Sequence, residues 1–546
     1  MKKNLIIVLS VALLSLVLSL FILRTPTPVM SVVEEKFSAV NAASYIEVIS
    51  REPHSVFALE AREEVRLYLK SKLEEFVGPA NVSEYNYTAA ETGEDIDYDV
   101  KNFWATIPGT SPTGILLVAH YDCRGPVGSS GTLGRSYGAA DDGYGLAVLL
   151  EIARLYGNTS PENSIYLLMT DAEENGLIGA KMAVTETELM DKIGFVINIE
   201  ARGVKGPVYM FETSSNNAKV IDFYKYSKNP VSYSIATAVY SIMPNATDFQ
   251  EFLGIGKAGI NFSTLDSVAT YHTPLDTYVN IDLSTIQSYG AQIVPLVEEF
   301  SSNSQYSDVD YFQAESSQVF FMILPGVMIH FSETAGLIMS FVILALLLGI
   351  AVYLIIKKRL CALKVLKFLG IIVAAILVYA IVGLLLSLLL AFVGGTIWSP
   401  IYMLMDHTGL PTALFLLFGA ASMFFLYHKL VKKEESRLAF IVSGILVNVV
   451  LAILTGLVLS GASFLFMIPA LFGVLAIYAN VFIKNKIIRH VVISHNLIWN
   501  ILIIVPLLYS LFLALTAGGL LAFMIILVID FSVVMPLTFE QINLHL

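Results

Sequence analysis

Only two of the 546 residues are cysteine, Cys123 and Cys361, so no disulfide framework can organise this chain. The topology argued below puts them on opposite sides of a bilayer, where they cannot pair. Cys123 reads as a small buried residue rather than a nucleophile or soft ligand. Basic residues are scarce in the first half: residues 25–317 carry 18 Lys/Arg against 39 Asp/Glu. That balance offers no face able to neutralise phosphates, which excludes nucleic acid as a partner. In the second half charge of either sign is scarce, with 12 Lys/Arg and 6 Asp/Glu over residues 318–546 in otherwise apolar sequence. Length and this split exclude a single globular domain, and predict an acidic soluble domain followed by a membrane domain.

Lys2 and Lys3 precede an apolar run from Leu5 to Leu23, long enough at about 20 residues to span the hydrocarbon core. The run exceeds a signal-peptide core and lacks a small-x-small cleavage site, so residues 1–24 are read as an uncleaved anchor with its lysines in the cytoplasm. Residues 25–317 then form an extracytoplasmic domain, and residues 318–335, apolar but short and containing Pro325, an interfacial linker. Residues 336–546 form a membrane domain of about seven helices, with spans near 336–356, 366–393, 411–428, 438–459, 463–483, 491–511 and 516–535. The turns after the second, fourth and sixth spans hold Lys357 to Lys367, Lys429 to Arg437 and Lys484 to Arg489, whereas the intervening turns hold no Lys or Arg. This asymmetry predicts a multi-pass protein with both termini in the cytoplasm. The soluble domain would face the cell exterior, or in a eukaryote the lumen of the endoplasmic reticulum or vacuole. Asp406-His407 and Asp530 are read as ordinary loop and interface residues.

In the soluble domain, strands near 115–119, 165–169, 194–199 and 258–262 alternate with helices near 145–157, 176–190, 216–226 and 284–301. The expected fold is α/β, a mainly parallel mixed sheet with helices on both faces, followed by the all-α membrane domain. Phe57, Ala58, Ala61, Val65, Leu69, Leu73 and Phe76 predict an amphipathic flanking helix whose charges form a solvated face. Tyr85 to Tyr98 reads as a strand pair joined by a loop.

The chemistry sits where strands end. ILLVAHYD delivers His120 and Asp122, and the glycine-rich loop after it closes on Asp141 and Asp142 in GAADDGYG, just before a helix. SIYLLMTDAEENG ends on Glu173 and Glu174, GFVINIEARG reaches Glu200, and His272 lies in the turn-rich YHTPLDT. Carboxylates and imidazoles at successive strand ends suit a zinc site with oxygen and nitrogen ligands. Five ligands suit two Zn2+ ions sharing one carboxylate, with the remaining residue left for proton transfer.

At these motifs, and at TDFQEF around Asp248, the chain resembles the di-zinc exopeptidases that include bacterial aminopeptidases and glutamate carboxypeptidase, over roughly residues 40 to 305. NIEARG, QVFF and the multi-span tail look most like the membrane-bound endoplasmic reticulum metallopeptidase and vacuolar membrane protease group. The resemblance implies that Asp141 bridges the metals, that His120 and Glu200 hold one, that Glu174 and His272 hold the other, and that Glu173 is the general base. It further implies a carbonyl-binding role for Tyr271 and a cis bond between Asp141 and Asp142, while Asp276 is read as a support for the ligating His272, whose other nitrogen needs an acceptor. The expected function is a membrane-anchored zinc aminopeptidase acting on peptide or protein N-termini. The alternatives are a glutaminyl cyclase-like acyl transferase, characteristically with one metal, and a catalytically silent receptor or transport protein.

Overall fold

A computed structural model of the chain describes residues 2–33, 35–126, 135–240, 245–395, 408–432 and 434–543. Asp406-His407 and Lys433 lie outside these described residues. Two compact units are formed: one from Leu23–Ser232 and Val239–Gln318, the other from Met1–Ile22, Tyr233–Ala238 and Val319–Leu546.

The first unit is built on a seven-stranded sheet. Its strands are β1 (Val82–Tyr87), β2 (Val100–Ile107), β3 (Ser111–His120), β4 (Asn163–Thr170), β5 (Ile193–Ile199), β6 (Lys205–Thr213) and β7 (Gly259–Asp266), in the order β1-β2-β4-β3-β5-β7-β6. The four central strands run parallel, while β1 and β2 at one edge and β6 at the other run antiparallel to their neighbours. This is the mainly parallel mixed sheet expected. β4 and β5 are buried along their whole length, which is why they read as unbroken apolar runs rather than alternating ones. Helices Ile178–Ala183 and Phe249–Gly254 cover a sheet face bearing Trp104, Leu116, Val118, Leu168 and Val196. Each such large side chain removed from water contributes about 1.5–3 kcal/mol. Helices Gly143–Tyr156 and Leu283–Ser302 pack against each other and against β3.

Several local expectations need correction. Between Tyr85 and Tyr98 there is one strand followed by the helical turn Ala89–Thr92, because Thr88 and Glu91 form a reciprocal capping box that nucleates helix. The helix expected over 176–190 is two short pieces, Ile178–Ala183 and Thr187–Met190. β6 was not among the expected strands. The flanking helix is Leu59–Val77, with Phe57 before it and exposed. Its charges are not all solvated: Arg62 and Arg66 are buried. Arg62 lies 3.4 Å from Asp171, and Arg66 pairs with Glu63 and Glu84. Burial pushes the Asp171 carboxyl up to about 6 despite the attraction of Arg62.

The second unit contains, among the described residues, seven apolar helical stretches of spanning length. Its helices are Lys2–Phe21, Glu333–Ile356, Ala362–Gly394, Gly409–Leu430, Glu434–Val458, Phe464–Phe482, Lys486–Leu515 and Leu520–Asn543. The last two form a single stretch interrupted only by the turn Thr516–Gly519. The stretch expected as an interfacial linker contains a hairpin, β8 (Gln318–Leu324) and β9 (Val327–Ser332). Gly326 at its turn has φ +72°, a left-handed conformation that glycine adopts without steric cost. Pro325-Gly326 between two β-prone runs is a hairpin signal that outweighs mere apolarity. Asp530 lines a cavity of about 310 Å³ with Phe424, Leu497 and Thr538, and its buried Oδ1 has no hydrogen-bond partner among the described residues.

Candidate metal centre

The carboxyl ends of β3, β4 and β5 lie side by side, and each chain leaves the sheet through a turn that aims one or two polar side chains. β3 ends on His120. The His120 Nδ1–H donates to the Asp122 carbonyl at 2.8 Å; a carbonyl can only accept, so Nε2 is left with the lone pair. Asp141 precedes helix Gly143–Tyr156, whose N-cap is Asp142 accepting from the Gly145 N–H at 3.0 Å. A Cβ on Gly145 would lie 2.2 Å from Asp142 Oδ2, so any larger residue would displace the capping carboxylate. The Asp141–Asp142 peptide bond is cis.

Beyond β4 the chain turns sharply at Ala172, φ 58°. The Asp122 carboxylate clamps that turn by accepting the N–H groups of Glu173 (2.9 Å) and Glu174 (3.3 Å). Glu200 follows β5, with its N–H on the Phe262 carbonyl at 2.9 Å and its own carbonyl accepting from Tyr289 Oη at 2.5 Å. His272 sits in a turn with φ 59°.

These elements bring five of the expected residues into two clusters that share Asp141: His120, Asp141 and Glu200, and Asp141, Glu174 and His272. His120 Nε2 is 3.3 Å from Asp141 Oδ1 and 3.7 Å from Glu200 Oε2. His272 Nε2 is 3.2 Å from Asp141 Oδ2 and 3.0 Å from Glu174 Oε1. The two oxygens of Asp141 therefore face different clusters. His120 Nε2, Asp141 Oδ2 and Glu174 Oε1 are buried, yet among the described residues none has a hydrogen-bond partner. Donor atoms arranged around a point at roughly 3.3 Å from one another are what four-coordinate zinc with bonds of about 2.0–2.1 Å requires. The donor set thus fits a metal, and by its nitrogen and oxygen composition fits zinc.

Electrostatics agree with that arrangement. Burial opposes ionisation of Asp141, but the adjoining His120 and His272 imidazoles outweigh it and hold the carboxyl below the usual range. Burial alone would lower His272, yet Glu174 and Asp141 push it up to about 9. Cationic charge at this point is strongly favoured. Glu173 stands outside both clusters and stays partly exposed. Burial pushes its carboxyl well up, and Glu200, Glu174 and Asp248 add to the shift.

Tyr271 stacks on His272 with ring centroids 3.6 Å apart. Asp276 does support the site, but not by holding His272. It accepts from the N–H groups of Ala140 (2.7 Å) and Asp141 (3.3 Å) and from Ser136 Oγ (3.1 Å), fixing the loop that carries Asp141. Asp248 accepts from Thr170 Oγ1 at 2.5 Å. Cys123 is buried between the His54 N–H and the Ser136 carbonyl, each 3.1 Å from Sγ.

Three neighbours escaped the sequence reading. Arg124 Nη1 contacts the Glu174 carbonyl at 2.6 Å and its Oε2 at 3.1 Å. Asn198 Nδ2 donates to Glu200 Oε1 at 3.2 Å. The Tyr240 hydroxyl is pushed up by burial and then by the charges of Glu212 and Glu200. Arg124 and Asn198 adjoin recognised residues in sequence, so proximity to His120 and Glu200 was an available signal; Tyr240 offered none.

A mixed α/β sheet thus gathers two imidazoles and three carboxylates at its strand ends, a donor set able to hold metal. Residues 102–297 match the sequence profile of Peptidase family M28. The chain is 28% identical over 238 residues to endoplasmic reticulum metallopeptidase 1 of Mus musculus, covering 42% of this chain and 25% of the relative. It is 26% identical over 276 residues to a vacuolar membrane protease of Candida dubliniensis, covering 48% of this chain and 28% of the relative. The chain thus aligns with about a quarter of the length of these relatives. Among solved structures, an aminopeptidase from Aneurinibacillus sp. strain AM-1 aligns at TM-score 0.38 and 13% identity, covering 50% of this chain and 95% of that one. A glutaminyl cyclase from an Acidobacteriales bacterium aligns at TM-score 0.39 and 16% identity, covering 51% and 99%.

Proposed function

We propose that the protein is a membrane-anchored zinc exopeptidase, acting as an aminopeptidase on peptide or protein N-termini. The observation that carries this reading is the pair of clusters sharing Asp141, each with one imidazole, and with Glu173 beside them but in neither. Two ions would be held, one by His120, Asp141 and Glu200 and one by Asp141, Glu174 and His272. When bound, zinc supplies Lewis acidity that acidifies water and polarises a carbonyl. Glu173 takes the proton from the attacking water and later returns it to the leaving amine. Its raised affinity for a proton suits that shuttle. The shared Asp141 speaks for two metals, and so for a peptidase rather than a one-metal acyl transferase. Complete ligand and base positions speak against a silent receptor.

The localisation we infer is a multi-pass membrane protein with residues 25–317 extracytoplasmic and both termini cytoplasmic, supported by the basic turns. Tags after Lys3 and Leu546 should both be reachable from the cytoplasm; either one outside would overturn this topology.

Glu173→Gln and Glu174→Ala test the mechanism. Glu173→Gln keeps size and metal but cannot accept a proton, so turnover on aminoacyl substrates should fall at least ~100-fold with zinc retained. Glu174→Ala should lose zinc as well as activity. Zinc quantification and hydrolysis of amino-free against amino-blocked peptides read both; an active Glu173→Gln variant refutes the assigned base.

A further inference from the structure

A row of side chains runs across the sheet one position below the ligands. Trp104, Leu168 and Val118 pair in succession on β2, β4 and β3, and Val118 pairs with Asn198 on β5, then Asn261 on β7 and Glu212 on β6. The row is apolar on its first three strands and polar on the last three. Asn198 Nδ2 donates to Glu200 Oε1 (3.2 Å) and to Asn261 Oδ1 (3.1 Å), and Asn261 Nδ2 donates to Glu212 Oε2 (3.0 Å) and to Thr247 Oγ1 (2.9 Å). A continuous hydrogen-bonded chain therefore leads from a ligand carboxylate to Glu212.

Glu212 is only 8% exposed. Its hydrogen bond comes from a neutral amide, and among the described residues no Lys, Arg or His pairs with it. Burial pushes its carboxyl up to about 7, with Asn261 opposing and the negative charge of Glu200 adding. A desolvated carboxylate without a counter-cation costs stability unless something positive arrives. The side-chain hydrogen bonds through Asn198 and Asn261 tie Glu212 to the Glu200 carboxylate.

We propose that Glu212 is a specificity-determining residue that receives the ammonium or guanidinium of a substrate whose N-terminal residue is lysine or arginine. This rests on the aminopeptidase reading above. The α-ammonium of a substrate is attached one carbon from the scissile carbonyl and so stays beside the ligands and Glu173. Glu212 is set back from Glu200 by two asparagine side chains, a distance suited to the end of a long side chain. An apolar side chain there would deepen the burial of Glu212 and offer it no partner.

The test is kcat/KM of the full-length protein on lysyl, arginyl, norleucyl and leucyl 7-amido-4-methylcoumarin substrates, for wild type and Glu212→Gln. Norleucine matches the lysine stem without its charge, and glutamine can still accept from Asn261. Wild type should favour lysine over norleucine by at least ~10-fold, and in Glu212→Gln that ratio should fall to within ~3-fold of unity, with zinc content unaltered. A wild-type ratio near one, with both substrates hydrolysed, overturns the proposal and leaves the peptidase reading standing. Equal loss on all four substrates in Glu212→Gln overturns it too, because Glu212 would then support Asn261 or read the α-ammonium. If no aminoacyl substrate is hydrolysed, the peptidase reading fails and this assignment fails with it.

Discussion

The two clusters that share Asp141 are built differently. His120 is the last residue of β3 and Glu200 follows β5, so both stand on extended backbone continuous with the sheet. Glu174 and His272 instead hang on turns, after Ala172 at φ 58° and at His272 itself with φ 59°. Left-handed conformations at such residues cost about 1–2 kcal/mol each and persist only where the surroundings enforce them. Enforcement comes from Asp122, which clamps the Glu173-Glu174 turn, and from Arg124 on Glu174. The first cluster is positioned by the fold and the second by specific polar contacts. A metal on the second should be the easier to disturb.

The most drastic break removes what the clusters share. Asp141→Ala should empty both of zinc and lower turnover by at least ~1000-fold, since several kcal/mol of charge stabilisation go with the metals. Zinc quantification showing one ion still tightly held would mean that Asp141 does not bridge. Next come the supports. Asn198→Ala should weaken one ion and Arg124→Met the other, each by ~10–100-fold, as is usual when the group orienting a ligand is lost. Competitive zinc titration resolving the two affinities would show it, and the same ion weakened in both variants would erase the distinction. The smallest effect concerns wild type. A chelator should extract zinc in two phases, with the turn-built cluster emptied ~10-fold faster, and a single phase would mean that the two sites behave as one.

Much of this was legible from local pattern. Buried parallel strands read as unbroken apolar runs, and the residues that break them, His120, Glu173, Glu174 and Glu200, stand out by polarity alone. The aim of Asp276 was not legible. Ligation chemistry suggested His272, yet the contact goes to Ala140 and Asp141, 136 and 135 residues away. Helical spacing likewise placed Arg62 on an amphipathic surface, but could not foresee Asp171 meeting it across 109 residues.

The sequence by itself determined which polar residues interrupt the apolar strands and where apolar helices of spanning length lie, because period and polarity are properties of neighbouring residues. Tertiary structure alone decided how Asp141 is divided between two imidazoles, and which strands lie side by side. Asn198, Asn261 and Glu212, separated along the chain by 63 and 49 residues, become neighbours only through pairing of β5, β7 and β6. Strand order follows from how the whole sheet buries its two faces, so no local stretch of sequence encodes it.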